Sequence, residues 1–210
     1  MATAVFSDFV AAFVTLFVVV EPLGLAPVFL AATARHSGAA RASIARRACL
    51  YAFLILTGAA FGGAALLRVM GISLPAFRVA GGLLLFSIAS EMVLGVRIGR
   101  ESETAQQALV ESDRHIAAFP LAIPLMAGPG AITATLLIAG EARGDPAQLA
   151  ALIGAILAVL ALCWLVCRLA TGVQRLIGSS ASIVMEKLIG VLLASLAVQF
   201  VMDGARSLFS

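Results

Sequence analysis

Charge is what this chain has least of. Asp, Glu, Lys and Arg make up 12% of its 210 residues, with a single lysine, Lys187, and the mean hydropathy is +1.09. A water-soluble domain is about a quarter charged and half apolar; this chain is 62% apolar. Apolar runs of about 20 residues, each long enough to cross about 30 Å of hydrocarbon, recur along its whole length, which excludes a single soluble core. Catalytic signatures are missing too. There is no GxGxxG or P-loop pattern and no nucleophile beside a base, and both histidines, His36 and His115, fall in charged loops. Cys49, Cys163 and Cys167 lie in or beside apolar segments without histidine or carboxylate at metal spacing, so they read as small buried side chains. An enzyme, a metal site and a cofactor are therefore not expected. The start, "MATAVFSD", lacks the basic residues of a secretory signal, so the first apolar segment is expected to stay as a span.

What is present is an all-α membrane protein of about six spans, at 5–33, 44–67, 75–96, 118–140, 147–169 and 185–208. Helices are required because the backbone must satisfy its own hydrogen bonds in lipid, and the runs are too evenly apolar for barrel strands. The net charge of +3 and pI near 9.1 come from arginines in short loops, which read as topology signals and not as a nucleic-acid surface. Arg35, Arg41, Arg46, Arg47, Arg97, Arg100, Arg114, Arg168, Arg175 and Lys187 follow the first, third and fifth spans; only Arg68, Arg78, Arg143 and Arg206 lie on the other side. The positive-inside rule then puts both termini in the periplasm of a bacterial inner membrane. The mixed-charge stretch 97–117 reads as a solvated cytoplasmic linker between a first unit, 1–96, and a second, 118–210.

Those two units look like copies. "PLGLAP" (22–27) returns as "PLMAGP" (124–129), and "RVAGGLLLFSIAS" (78–90) aligns with "KLIGVLLASLAVQ" (187–199) through a basic residue, a glycine three on and a Leu-Leu pair. Three spans per copy force the second to insert upside down, giving two inverted three-helix repeats, an architecture that points to alternating-access transport.

The repeated motif also breaks the helices that carry it. Pro22 and Pro27, with Gly24 between them, should unwind the first span around residues 21–26, and Pro124, Gly128, Pro129 and Gly130 should open the fourth, with Thr133 at the start of the resumed helix. Helices 1 and 4 are thus expected to be broken near the bilayer middle. Each resumed half-helix would offer amide hydrogens and a positive dipole end to a carboxylate, while freed carbonyls accept from an ammonium group. Glu21 is the one acidic residue well inside a span beside a break. It could hold the substrate's ammonium or carry a coupling proton; the structural alternative is a carboxyl that caps freed amides. Gln199 and Asp203 share a face of the sixth span.

The segments "EPLGLAPVFL", "GISLPAFRVAGGLLLF", "FPLAIPLMAGPGAITATLL" and "EKLIGVLLASLAVQFVMDG" resemble, in order and spacing, the signature of the MarC family, also described as neutral amino acid transporters. The resemblance covers nearly the whole chain except the charged linker. It implies a six-span secondary transporter of small neutral amino acids such as glycine or alanine, driven by protons. Carried over, the motif falls on Glu21, Pro22, Leu23, Gly24 and Pro27, and on Pro124, Ala127, Gly128, Pro129 and Gly130. Glu21 departs from the Asp or Asn more usual in the family, which leaves positioning open beside proton carriage. The candidate substrate site is therefore Glu21, Pro22, Gly24, Pro27, Pro124, Ala127, Gly128, Pro129, Gly130, Thr133 and Gln199. Transport of another small metabolite or drug, and a non-transporting membrane scaffold, are the alternatives.

Overall fold

The computed structural model describes residues 2–95, 113–142 and 144–209. Among them the chain is helical throughout: α1 (Ala2–Val20), a 3-10 turn (Pro22–Gly24), α2 (Leu25–Ala32), α3 (Gly38–Val69), α4 (Leu74–Leu94), α5 (Asp113–Ile116), an irregular segment (Ala117–Met126), α6 (Pro129–Glu141), α7 (Pro146–Arg168) and α8 (Ala170–Phe209). Val5–Ala32, Gly38–Val69, Leu74–Leu94, Pro146–Arg168 and Ile183–Leu208 are long and apolar enough to cross a membrane, and Ala117–Met126 with Pro129–Glu141, bent by 56°, makes up to six. Residues 97–112 of the expected linker lie outside the described residues.

Local chemistry sets the helix ends. Ser37 accepts from the Ala40 amide at 3.3 Å and starts α3; Ser73 does the same for Ala76 in α4, where Pro75 occupies the first turn. Asp145 accepts from Ala147 at 2.9 Å ahead of Pro146 in α7. Gly95, left-handed at φ 76°, ends α4 two residues before the expected boundary. Elsewhere hydropathy underestimates the helices. It marks only the apolar part of α3, which starts six residues earlier and runs through Arg41, Arg46 and Arg47, and it misses that α8 is helical from Ala170. Arg41 does more than set topology: its guanidinium donates to the Thr33 carbonyl at 3.0 Å and the Ala34 carbonyl at 3.4 Å, closing the C-terminal end of α2.

The core is built on small residues. On α3, Ala45, Ala48, Ala52, Leu56, Ala60 and Gly63 are buried at three- and four-residue spacing, and on α7 Leu152, Ala155, Ile156, Val159 and Cys163 are buried likewise. α1 and α3 both pack on α7; α3 also packs on Ala117–Met126 and on α6; α2 reaches α7 and α8; α6 reaches α1 and α4. The most extensive pairing is α4 with α8. They run antiparallel, because Gly190 meets Ala89 and Met92 while Gly204 meets Pro75 and Val79. The three cysteines are free, with Cys163 and Cys167 buried. The partly buried Cys49 donates to the Leu160 carbonyl at 3.5 Å, its Sγ 4.0 Å from Met126 Sδ.

Candidate functional site

Both repeated motifs interrupt their helices, by different geometry. In the first, Pro22 has no amide to give the Val18 carbonyl, and α1 stops at Val20. Glu21 takes a left-handed conformation (φ 49°, ψ 67°), the only non-glycine with positive φ among the described residues. The chain then turns through Pro22–Gly24 and resumes as α2 at Leu25. Pro27 fits inside the first turn of α2, where no intrahelical amide partner is needed. Glu21 is only 6% exposed. Its carboxylate lies over Gly24: a Cβ built there would stand 3.3 Å from the carboxyl carbon and 3.5 Å from each oxygen.

Two expectations change here. The first amide of the resumed half-helix is not left open, since the Leu25 amide turns back to the Leu23 and Pro22 carbonyls, and just ahead of it Gly24 donates to Glu21 O at 3.0 Å. The 3-10 turn itself absorbs these two amides. Nor does the Glu21 side chain make a capping hydrogen bond to that turn.

The second interruption starts earlier than the motif predicts. Phe119 and Ile123 are both extended (φ −137°, ψ 125° and φ −122°, ψ 124°), each preceding a proline joined by a cis bond. A residue before proline is pushed out of the α region, so "FPLAIP" breaks the segment twice. Pro120, the first proline of that run, is the signal visible in the sequence. The Ala127 amide reaches back to Ala122 O at 2.8 Å, Gly128 is extended, and α6 begins at Pro129. Gly128 has no room for a side chain, because a Cβ there would stand 2.2 Å from the Pro124 carbonyl oxygen. In α6 the Gly130 and Ala131 amides fall in the first turn, where the helix supplies no acceptor.

The two interruptions meet. A Cβ on Gly130, two residues into α6, would stand 3.1 Å from Val19 Cγ1 at the end of α1 and 2.7 Å from Leu85 of α4. Glu21, Pro22, Ala127, Gly128, Gly130 and Thr133 are buried, Gly24 is half-buried, and Pro27, Pro124 and Pro129 are exposed. Thr133 turns its methyl to α4, filling the place of a Gly81 side chain: a Cβ there would be 2.0 Å from Thr133 Cγ2. At the far end of α6, Arg78 of α4 pairs with Glu141. Gln199 is not brought to the interruptions; it is exposed on α8 and donates from Nε2 to both Asp203 oxygens, at 2.9 and 3.0 Å.

The family model for MarC family integral membrane proteins matches residues 6–209. The chain belongs to the MarC family. This MarC protein is 38% identical to a UPF0056 membrane protein of Aquifex aeolicus, over 95% of its own length and 93% of the relative's. It is 35% identical to one of Archaeoglobus fulgidus, covering 94% and 92%, and 34% identical to the UPF0056 membrane protein YhcE of Escherichia coli K12, covering 94% and 91%. No solved structure matches. The family and the helical architecture together make the chain a multi-pass integral membrane protein.

Proposed function

We propose that this MarC protein is a secondary transporter of small neutral amino acids, glycine or alanine in kind, coupled to protons and binding its substrate where the first and fourth spans are interrupted. The substrate class and the coupling come from the family resemblance. The observation that carries the site is the meeting of Val19 and Gly130, which sets two interrupted spans side by side with a buried carboxylate at one of them.

The first-turn amides of α6 suit the carboxylate of a zwitterion, and Glu21 suits its ammonium. Ala127, Gly128 and Gly130 leave little bulk around the crossing, which favours a small side chain on the substrate. Non-helical backbone at membrane depth is tolerated where it is buried in protein or lines a water-filled cavity, so the extended residues of Ala117–Met126 fit a solute path. The packing supports an inverted repeat. Exchanging the halves turns the α1–α7 contact into that of Ala117–Met126 with α3, turns α2–α7 into α6–α3 and α2–α8 into α6–α4, and returns α3–α7 and α4–α8 to themselves. The proposed setting is a bacterial inner membrane with both termini periplasmic, and the solute crosses without chemical change.

The test is uptake of labelled glycine and alanine into proteoliposomes with and without an imposed pH gradient. Gradient-driven accumulation is expected. Folded protein that moves neither under any gradient would overturn the amino acid assignment.

A further inference from the structure

A stripe of α8 is built unlike a surface that meets lipid. Leu188, Leu192, Ser195, Gln199, Met202 and Arg206 are all exposed and recur at alternating spacings of four and three. Gly190, Leu193, Ala197 and Gly204 are buried on the opposite side, where Gly190, Gly204 and the Ala197 carbonyl meet α4. The stripe therefore points away from the bundle, not toward the interrupted spans.

Depth makes this costly. Ala197 O and Val201 N flank the Cβ position of Gly82, so Gln199 lies level with Gly82. Gly82 is eight residues into α4, which places Gln199 ~12 Å below the end of that helix. Its amide nitrogen serves Asp203, while its amide oxygen has no partner among the described residues. A polar group facing hydrocarbon is expensive unless hydrogen-bonded, and membrane helices satisfy such groups by bonding across a helix pair. Spacing of four and three is the seam of a left-handed helix pair.

We propose that a second copy of this chain docks its own α8 on this seam, about a two-fold axis along the membrane normal. Copies inserted the same way round set each residue at the depth of its counterpart, so Gln199 faces Gln199 of the partner subunit. A carboxamide both donates and accepts, which makes the like-with-like contact favourable. Arg206 lies in the last turn of α8, where solvent screens it from its counterpart, and Asp203 within one turn offsets its charge. The pairing stands independently of the transport reading.

Oxidative cross-linking in native membranes tests it, with Cys49, Cys163 and Cys167 replaced by alanine and a single cysteine introduced. Ser195→Cys and Gln199→Cys are expected to yield covalent dimers, while Val198→Cys, equally exposed but off the seam, is not. Equal cross-linking of the Val198→Cys variant would overturn the seam. In parallel, single-molecule photobleaching in liposomes, with the native cysteines kept, is expected to find wild type dimeric and Gln199→Leu to weaken association on the order of tenfold. A wild type that stays monomeric, whatever else occupies the stripe, or a Gln199→Leu variant that pairs as tightly as wild type, refutes the proposal.

Discussion

The contact of α4 with α6 permits a prediction in which substitution and rescue have opposite signs. Gly81→Ala would put a Cβ 2.0 Å from Thr133 Cγ2, a distance no real pair holds, so one helix must move. Overpacking costs roughly 1–3 kcal/mol, and a 2.0 Å approach to a buried β-branched side chain belongs to the upper part of that range, about 2–3 kcal/mol. Against it stands the gain from replacing a mid-helix glycine by alanine, about 1 kcal/mol. The net is a loss of about 1–2 kcal/mol, or about 2–8 °C in Tm for a domain of this size. Thr133→Ser removes the obstructing methyl, a loss of about 0.8 kcal/mol by itself. In the double variant the clash is gone, the propensity gain offsets the lost methyl, and stability should return to that of wild type. The remaining Thr133 atoms, Cβ at 3.3 Å and Oγ1 at 3.4 Å from the new methyl, ask only for small adjustment. The assay is built in. Cys163 and Cys167 are buried, so a thiol-reactive fluorophore reports their exposure as the bundle melts in detergent. A Gly81→Ala variant as stable as wild type, or a double variant no better than the single one, would refute the α4–α6 geometry.

Gly128→Ala meets the Pro124 carbonyl oxygen at 2.2 Å, backbone that cannot swing aside, so a loss of about 3 kcal/mol is expected in the same melt; full stability would refute the close approach of Gly128 to that carbonyl. Glu21→Gln keeps the shape over Gly24 but removes the titratable group. Gradient-driven uptake in proteoliposomes should then lose its pH response, and an unchanged response would exclude Glu21 as proton carrier. The Arg78–Glu141 pair has its carboxylate side chain 59% exposed, so Glu141→Gln should cost under about 1 kcal/mol. A Tm drop several times larger than that implies would show the pair to be a structural clamp.

How far the fold was legible depended on which physics the sequence carries in one dimension. The helical class and the five to six candidate spans follow from hydropathy, a property of consecutive residues. Helix ends were less legible, because α3 and α8 continue through charged and polar residues that hydropathy scores as loop. Arg41 shows why. Its charge marks a side of the membrane, but its hydrogen bonds to Thr33 and Ala34 depend on the turn between α2 and α3 folding back. Pro120 is the opposite case, a breaker in plain view in the sequence that has no counterpart in the other copy.

Site residues divide along the same line. Gly128 and Gly130 could be named from composition alone, yet what each makes room for, the Pro124 carbonyl in one case and Val19 and Leu85 in the other, is decided by segments far away in the chain or folded back on it. The sequence offers Thr133 as a polar group for the site, whereas its methyl is what α4 receives. Gln199 lies more than a quarter-turn from Leu193 and Ala197, whose burial sets the inner face of α8, so it points away from the bundle. Helical phase is therefore the test to apply before any polar residue in a span is assigned to a substrate. Glu21 passes it differently: the backbone around it leaves the helix altogether, and a left-handed residue held at 6% exposure keeps its carboxylate over Gly24, two residues along the chain from Val19, where α1 meets α6.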